Sequence, residues 1–341
     1  MFDEIWAGVD VWQPLEGVGD SARRAEAIGY DGFSVPDSMH DGFLLAAFAL
    51  RATSRLRVRT SGLVAFARNP MTAAAATWDL RATYGKRFEL GLGPLVKPIL
   101  VGRYGVSWSP PAPRMREYVR VLRAIFDCWQ HDVPLHFEGE HYRLTRMQDF
   151  MKPPPLEHPD VPIHLAGIGP HMTALAGELA DGLATHPTNS APIFLREITL
   201  PNLERGAART QRSRAEINLH VNAFSATGID GDAVHRQREK QRRLLAILYS
   251  TPQYWHTLDL LGFRDRAEFL RDLVRQQRWD ELTPVITDEI LEQVAPAGTY
   301  DELPSVLRDW YGGIANAVGV PLPADPGHDA RLIEVLKALR G

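Results

Sequence analysis

Polar residues that follow short apolar runs are where this chain could do chemistry. Asp37 and His40 stand three residues apart in Val35-Pro36-Asp37-Ser38-Met39-His40-Asp41, just past an apolar stretch stopped by proline. A carboxylate and an imidazole at that spacing can act as a general acid/base pair or hydrogen-bond a ligand. The same residues could instead cap the next helix, with His40 on the surface. Thr60-Ser61-Gly62-Leu63 sets a glycine among small polar residues at a strand end, which suits a bulge, a close backbone approach to a ligand, or a routine ending. In Ala166-Gly167-Ile168-Gly169-Pro170-His171 an apolar run leads into a helix. Backbone N–H groups at a helix N-terminus bind phosphate and glycines let it approach, although a tight turn fits equally. His186 ends the run 181–186 and reads as a residue of the same mouth or as a turn cap. Lys97 and Arg103, with Trp108, could form a basic aromatic rim for an anionic cofactor or substrate, or be solvated loop charges.

Other features exclude chemistry. Gly91-Leu92-Gly93 is followed by Pro94 and Leu95, so the third glycine of a dinucleotide-binding turn is missing. No His-x-His or His-Glu-x-x-His pair occurs, and no metal is expected. Cys128 sits beside Trp129 on a helix face, where an inert core thiol is expected rather than a nucleophile.

Elements must bring these segments together. Eight strand-like runs, at 4–12, 30–35, 55–66, 87–93, 161–167, 181–186, 216–226 and 316–322, are each followed by at least one helical pattern. The helix predicted over 113–130 is the clearest, with Tyr118, Leu122, Ile125, Phe126 and Trp129 on one face. Strict alternation of strand and helix points to a parallel sheet, and eight units point to a (β/α)8 TIM barrel with its site at the C-terminal strand ends. A doubly wound sheet is the alternative, weakened by the missing glycine fingerprint. The whole of 1–341 reads as one domain, with a Pro- and His-rich loop insertion near 139–162 and a helical excursion near 232–288; the segment 232–313 reads as mostly helical.

Composition sets the outer bounds. With 341 residues, 38 Lys+Arg against 42 Asp+Glu and a net charge of -4, the chain lacks the basic domain of a nucleic-acid binder. The longest apolar stretch, around 44–50, is far short of the roughly 20 residues of a membrane span. One cysteine and an N-terminus without a secretory pattern lead to the expectation of a cytoplasmic enzyme acting on a small molecule, away from membranes.

These segments together resemble the luciferase-like monooxygenase superfamily of flavin- and deazaflavin-dependent oxidoreductases. The likeness begins at Ala22-x-x-Ala25-Glu26-x-x-Gly29-Tyr30-Asp31-Gly32 and passes through Thr60-Ser61-Gly62-Leu63, Arg68-Asn69-Pro70 and Arg87-Phe88-x-Leu90-Gly91-x-Gly93. It resumes at Pro113-Arg114-Met115-Arg116-Glu117-Tyr118, Pro162-Ile163-His164-Leu165-Ala166-Gly167 and Ala180-Asp181-Gly182. The order and spacing over roughly 4–320 carry it, and no single motif does. The segment Asp37 to Asp41, the stretch Tyr104 to Tyr118 and the ending Trp310 to Gly313 are similar to a subgroup that uses the deazaflavin coenzyme F420.

The resemblance implies a tricyclic cofactor across the barrel mouth: coenzyme F420, or FMN as the alternative. It implies a bulge with a non-proline cis peptide within Ser61-Gly62-Leu63 behind the ring, and a phosphate turn at Ala166, Gly167, Ile168 and Gly169. Gly91, Gly93, Lys97, Arg103 and His186 are expected to help hold the cofactor, with His40 as catalytic acid/base supported by Asp37. It also implies a homodimer. With F420 the protein would transfer a hydride between the ring's C5 and a small organic substrate. With FMN it would be a monooxygenase fed by a partner flavin reductase. A non-catalytic flavin-binding barrel and a metal-dependent barrel hydrolase are the remaining readings. At a charge of -4 the overall field will not attract an acidic cofactor, so local features must hold it.

Overall fold

In a computed structural model describing residues 1–341, eight parallel strands close into a ring. They are β1 (Glu4–Gly8), β2 (Gly32–Pro36), β3 (Arg57–Ser61), β4 (Phe88–Gly93), β5 (Ile163–Ala166), β6 (Gly182–Ala184), β7 (Asn218–Val221) and β8 (Ala317–Gly319). Each strand pairs with the next, and β8 returns to β1 through Glu4↔Ala317 and Ile5↔Val318. The fold is therefore the (β/α)8 barrel, with all eight strands where the sequence places them but shorter. The run 55–66 divides: β3 ends at Ser61, and Leu63–Val64 continues after Gly62.

The helices α1 (Val18–Ile28), α2 (Gly42–Ala52), α3 (Pro70–Tyr84), α4 (Lys97–Tyr104), α5 (Pro111–His131), α6 (Pro170–Leu179) and α7 (Leu200–Ala208) follow their strands. Their ends obey local chemistry. Asp41 caps α2 by accepting from the N–H groups of Phe43 and Leu44, and Asn69 caps α3. Gly29 closes α1 in the left-handed conformation. One core of 64 buried residues lies between ring and helices, and Cys128 is buried within it as an unpaired thiol.

Several boundaries differ from the sequence reading. Lys97 and Arg103 lie on helix α4 rather than in a loop. The insertion near 139–162 is entered by a small antiparallel hairpin, Phe137–Glu138 with Arg143–Leu144, held because Glu117 accepts from the N–H groups of Glu140, His141 and Tyr142. The excursion holds helices α8 (Gly231–Tyr249), α9 (His256–Leu260), α10 (Arg264–Arg275) and α11 (Asp288–Val294) around a separate core of 15 residues. It is closed at its base by the parallel pair Ala226–Gly228 and Ala297–Thr299, so 232–313 is mostly helical with one short strand, and β7 stops at Val221. The chain ends in α12 (Leu303–Tyr311) and α13 (Asp329–Arg340). No helix is long and apolar enough to cross a membrane.

Candidate active site at the barrel mouth

Inside the ring, side chains alternate between lumen and helices. The lower lumen is charged. Arg59 is 1% exposed and donates through Nη1 to His164 Nδ1 at 3.0 Å; its Nη2 meets His220 Nδ1, and its guanidinium lies 4.2 Å over the Trp6 ring. Glu89 sits 3.4 Å from His164 Nε2 and 3.2 Å from Arg57, which also pairs with Glu4 at 2.8 Å. Two arginines thus balance two carboxylates. Burial alone would raise the Glu89 carboxyl, but the His164 hydrogen bond and the charges of Arg59 and Arg57 overcome it and hold it at about 2. Burial, then Arg59, pushes both His164 and His220 downward, so both imidazoles are neutral. Reading for strand-end residues passes over this cluster, yet its signal is legible: Arg57-Val58-Arg59, Phe88-Glu89-Leu90, Ile163-His164-Leu165 and Leu219-His220-Val221 alternate charge or imidazole with apolar residues.

Toward their C-terminal ends six of the strands carry small residues: Gly8, Ser61, Gly91, Gly93, Ala166, Ala184 and Gly319. The bulge expected at Ser61-Gly62-Leu63 is present. Arg59 pairs with Glu89 and Leu63 with Leu92, so four steps on one strand face three on the other. Gly62 takes φ +78, and Thr60 Oγ1 bridges the gap to the N–H and C=O of Gly91 at 2.8 and 2.9 Å. A Cβ on Gly91 would lie 1.8 Å from the Thr60 carbonyl oxygen, so only glycine fits. The cis peptide implied by the resemblance is absent: every peptide bond is trans, and the positive φ of Gly62 turns the chain instead.

Asp37 lies at the mouth, but no hydrogen bond joins it to His40. Its oxygens accept from Arg68 at 2.6 and 3.0 Å, from Val64 N at 2.9 Å and from Gly42 N at 3.1 Å. Arg68, which reaches Asp41 as well, staples the loop after β2 to the bulge. His40 Nε2 is buried with no partner in the chain. Arg103 donates to Ser38 O at 2.7 Å, and Lys97 lies 4.7 Å over Trp108, which builds the basic aromatic rim beside the His40 loop.

Gly167, Ile168 and Gly169 lead into α6, whose N-terminus has no side-chain cap and leaves the N–H groups of His171 and Met172 free. A Cβ on Gly167 would strike Met172, whereas Gly169 faces open space. At the end of β6, His186 stacks on Tyr254 of the excursion, with centroids 4.7 Å apart and planes 7° apart. Tyr249 and Thr257 of the excursion both donate to Thr188 O, so the excursion walls this side of the mouth. Arg68, Thr188 and Tyr254 are site residues that motif reading leaves without a role.

A family model described as luciferase-like monooxygenase matches residues 2–316. The chain belongs to that family. It is an oxidoreductase. An uncharacterized protein of Mycobacterium tuberculosis is 37% identical over 305 residues, 89% of each chain. A second M. tuberculosis protein, named a putative coenzyme F420-dependent oxidoreductase, is 26% identical over 96% of this chain and 95% of its own. The coenzyme F420-dependent tetrahydromethanopterin reductase of Methanopyrus kandleri superposes with a TM-score of 0.81 at 18% identity, covering 98% of this chain and 97% of its own. Enzymes built on a (β/α)8 barrel carry their active sites at the C-terminal ends of the strands, which is the mouth described above.

Proposed function

We propose that this oxidoreductase uses coenzyme F420 and a small organic substrate. When bound, the deazaflavin exchanges a hydride at its C5 carbon. The M. tuberculosis relative named for F420 supports this choice of cofactor. The observation that carries the reading is the buried, unpartnered Nε2 of His40 in the loop that follows β2 at the C-terminal end of the ring, since a buried imidazole nitrogen without a partner is costly unless a ligand completes it.

The residues present fit the cofactor. Ser61, Gly62 and Leu63 form a backbone ledge, and Gly91 and Gly93 let it lie close. The turn Ala166-Gly167-Ile168-Gly169, with the free N–H groups opening α6, is the phosphate cradle, and the helix dipole adds to it. Lys97 and Arg103 supply local positive charge. His40 gives or takes through Nε2 the proton that accompanies the hydride, and Asp37 serves by holding the loop through Arg68. The chain is proposed to act as a homodimer, with the outward Leu44 and Phe48 of α2, 52% and 42% exposed, as apolar contacts.

Titration of the purified protein with F420 and with FMN, followed by fluorescence, tests the reading. F420 binding with no FMN binding is expected. Tight FMN binding without F420 binding would overturn it in favour of a monooxygenase served by a flavin reductase. His40→Ala is expected to retain F420 affinity and lose about 100-fold or more in turnover, the range of a general acid/base.

A further inference from the structure

We propose that His186 is a neutral hydrogen-bond donor that orients an uncharged carbonyl or hydroxyl oxygen of the substrate, its proton kept on Nε2 by Thr188. The geometry fixes the tautomer. Two groups of Thr188 approach His186 Nδ1: the hydroxyl at 2.8 Å and the backbone N–H at 3.3 Å. The hydroxyl could donate or accept, but a backbone N–H only donates, so Nδ1 is an acceptor and carries no proton. A neutral imidazole then holds its hydrogen on Nε2, and that atom has no partner in the chain. The ring is held by its stack on Tyr254, and its backbone by Asn189 Oδ1, which accepts from the His186 N–H at 2.9 Å. Such a side chain is pre-organised before any ligand arrives.

Position gives the donor its use. In ring order β6 is opposite β2, so His186 and His40 stand on opposite sides of one mouth; Nε2 of His40 is buried without a partner, and the ring bonds of His186 run through Nδ1 alone. The surroundings give the substrate class. The two side chains against the His186 ring, Thr188 and Tyr254, are uncharged, as are Tyr249 and Thr257 that hold the Thr188 carbonyl behind it. Burial is what moves this imidazole, to about 4, so it stays a neutral donor at physiological pH. A phosphate or carboxylate here would be desolvated without a counter-charge, whereas a ketone or alcohol oxygen needs only the one hydrogen bond. The cations Lys97 and Arg103 stand past the end of β4 instead.

This inference rests on the mouth being an oxidoreductase site, not on which cofactor fills it, and the test separates the two. Long-range proton–nitrogen NMR on histidine-labelled full-length protein without cofactor, assigned with His186→Phe, is expected to show the Nε2–H tautomer from pH 5 to 8. An Nδ1–H or imidazolium pattern at pH 6 would overturn the proposal. Adding acetone is expected to move the His186 Nε2 resonance; an unmoved resonance would also overturn it. In turnover with a ketone substrate, His186→Phe keeps the aromatic stack and removes the donor. It is expected to lower kcat/KM about tenfold or more, mainly through KM, with an unchanged pH profile and cofactor affinity. His186→Gln, which restores a donor, is expected to recover most of the loss; equal loss in both variants would leave the donor role refuted. A protein that binds neither cofactor yet shows the tautomer and the acetone response would refute the proposed cofactor alone.

Discussion

Glu89 shows how much one buried side chain can hold. Its carboxylate is buried and faces the buried Arg59 and His164 and the partly exposed Arg57, so each buried partner's cost is offset only while the others stay. Glu89→Gln removes the counter-charge of two arginines and is expected to destabilise the fold by about 3–5 kcal/mol, the usual cost of breaking a buried pair. Urea unfolding measures it, and a loss under about 1 kcal/mol would show that the lumen charges are solvated. At this scale the sequence is half legible. The alternation of charged and apolar residues in Arg57-Val58-Arg59 is visible without coordinates and departs from the apolar runs usual in parallel strands. That four strands deliver Arg59, Glu89, His164 and His220 to one point depends on ring closure, which no local pattern encodes. His40 and His186 were legible as strand-end residues. The partner of Asp37 was not, because Arg68 lies 31 residues away along the chain.

At the scale of elements, the bulge and the excursion shape the mouth. The bulge was legible in Gly62 flanked by small polar residues. Its close partner Gly91 is explained only by register, since the extra residue pushes the Thr60 carbonyl into the space a Cβ would take. Gly91→Ala is expected to destabilise by about 2–3 kcal/mol, as forced overpacking does, and to weaken cofactor binding with it. Gly102→Ala is the control: it lies in α4 facing open space, and alanine there is expected to add about 0.5–1 kcal/mol through helix propensity. Equal effects from the two changes, read as thermal midpoints, would refute the close-approach argument. The excursion was legible as a surplus of helical sequence. Its edges were not, because the closing strands Ala226–Gly228 and Ala297–Thr299 are three residues each, too short for a period to register.

For the whole molecule, the buried imidazoles make stability depend on pH, and the direction can be worked out. His164 and His220 lie below the ordinary 6.5 in the folded protein because of burial and then Arg59, and His186 lies at about 4 because of burial. In the unfolded chain each takes up a proton near 6.5, so below that pH the unfolded state binds more protons and gains on the folded one. Each histidine contributes a slope of up to about 1.4 kcal/mol per pH unit. Glu89 acts lower down: its folded value is depressed, so its contribution is complete above about 4.5 and is lost as pH falls toward about 2. Urea midpoints are therefore expected to decline from pH 7 to 5, before ordinary carboxylates titrate, and more steeply below 4.5. His186→Phe removes one of the three imidazoles without disturbing the Arg59 cluster, and is expected to flatten the upper part of the decline by about one proton. A midpoint constant from pH 7 to 5 in the wild-type protein would mean that these histidines are as free to charge in the folded chain as in the unfolded one, which their burial does not allow.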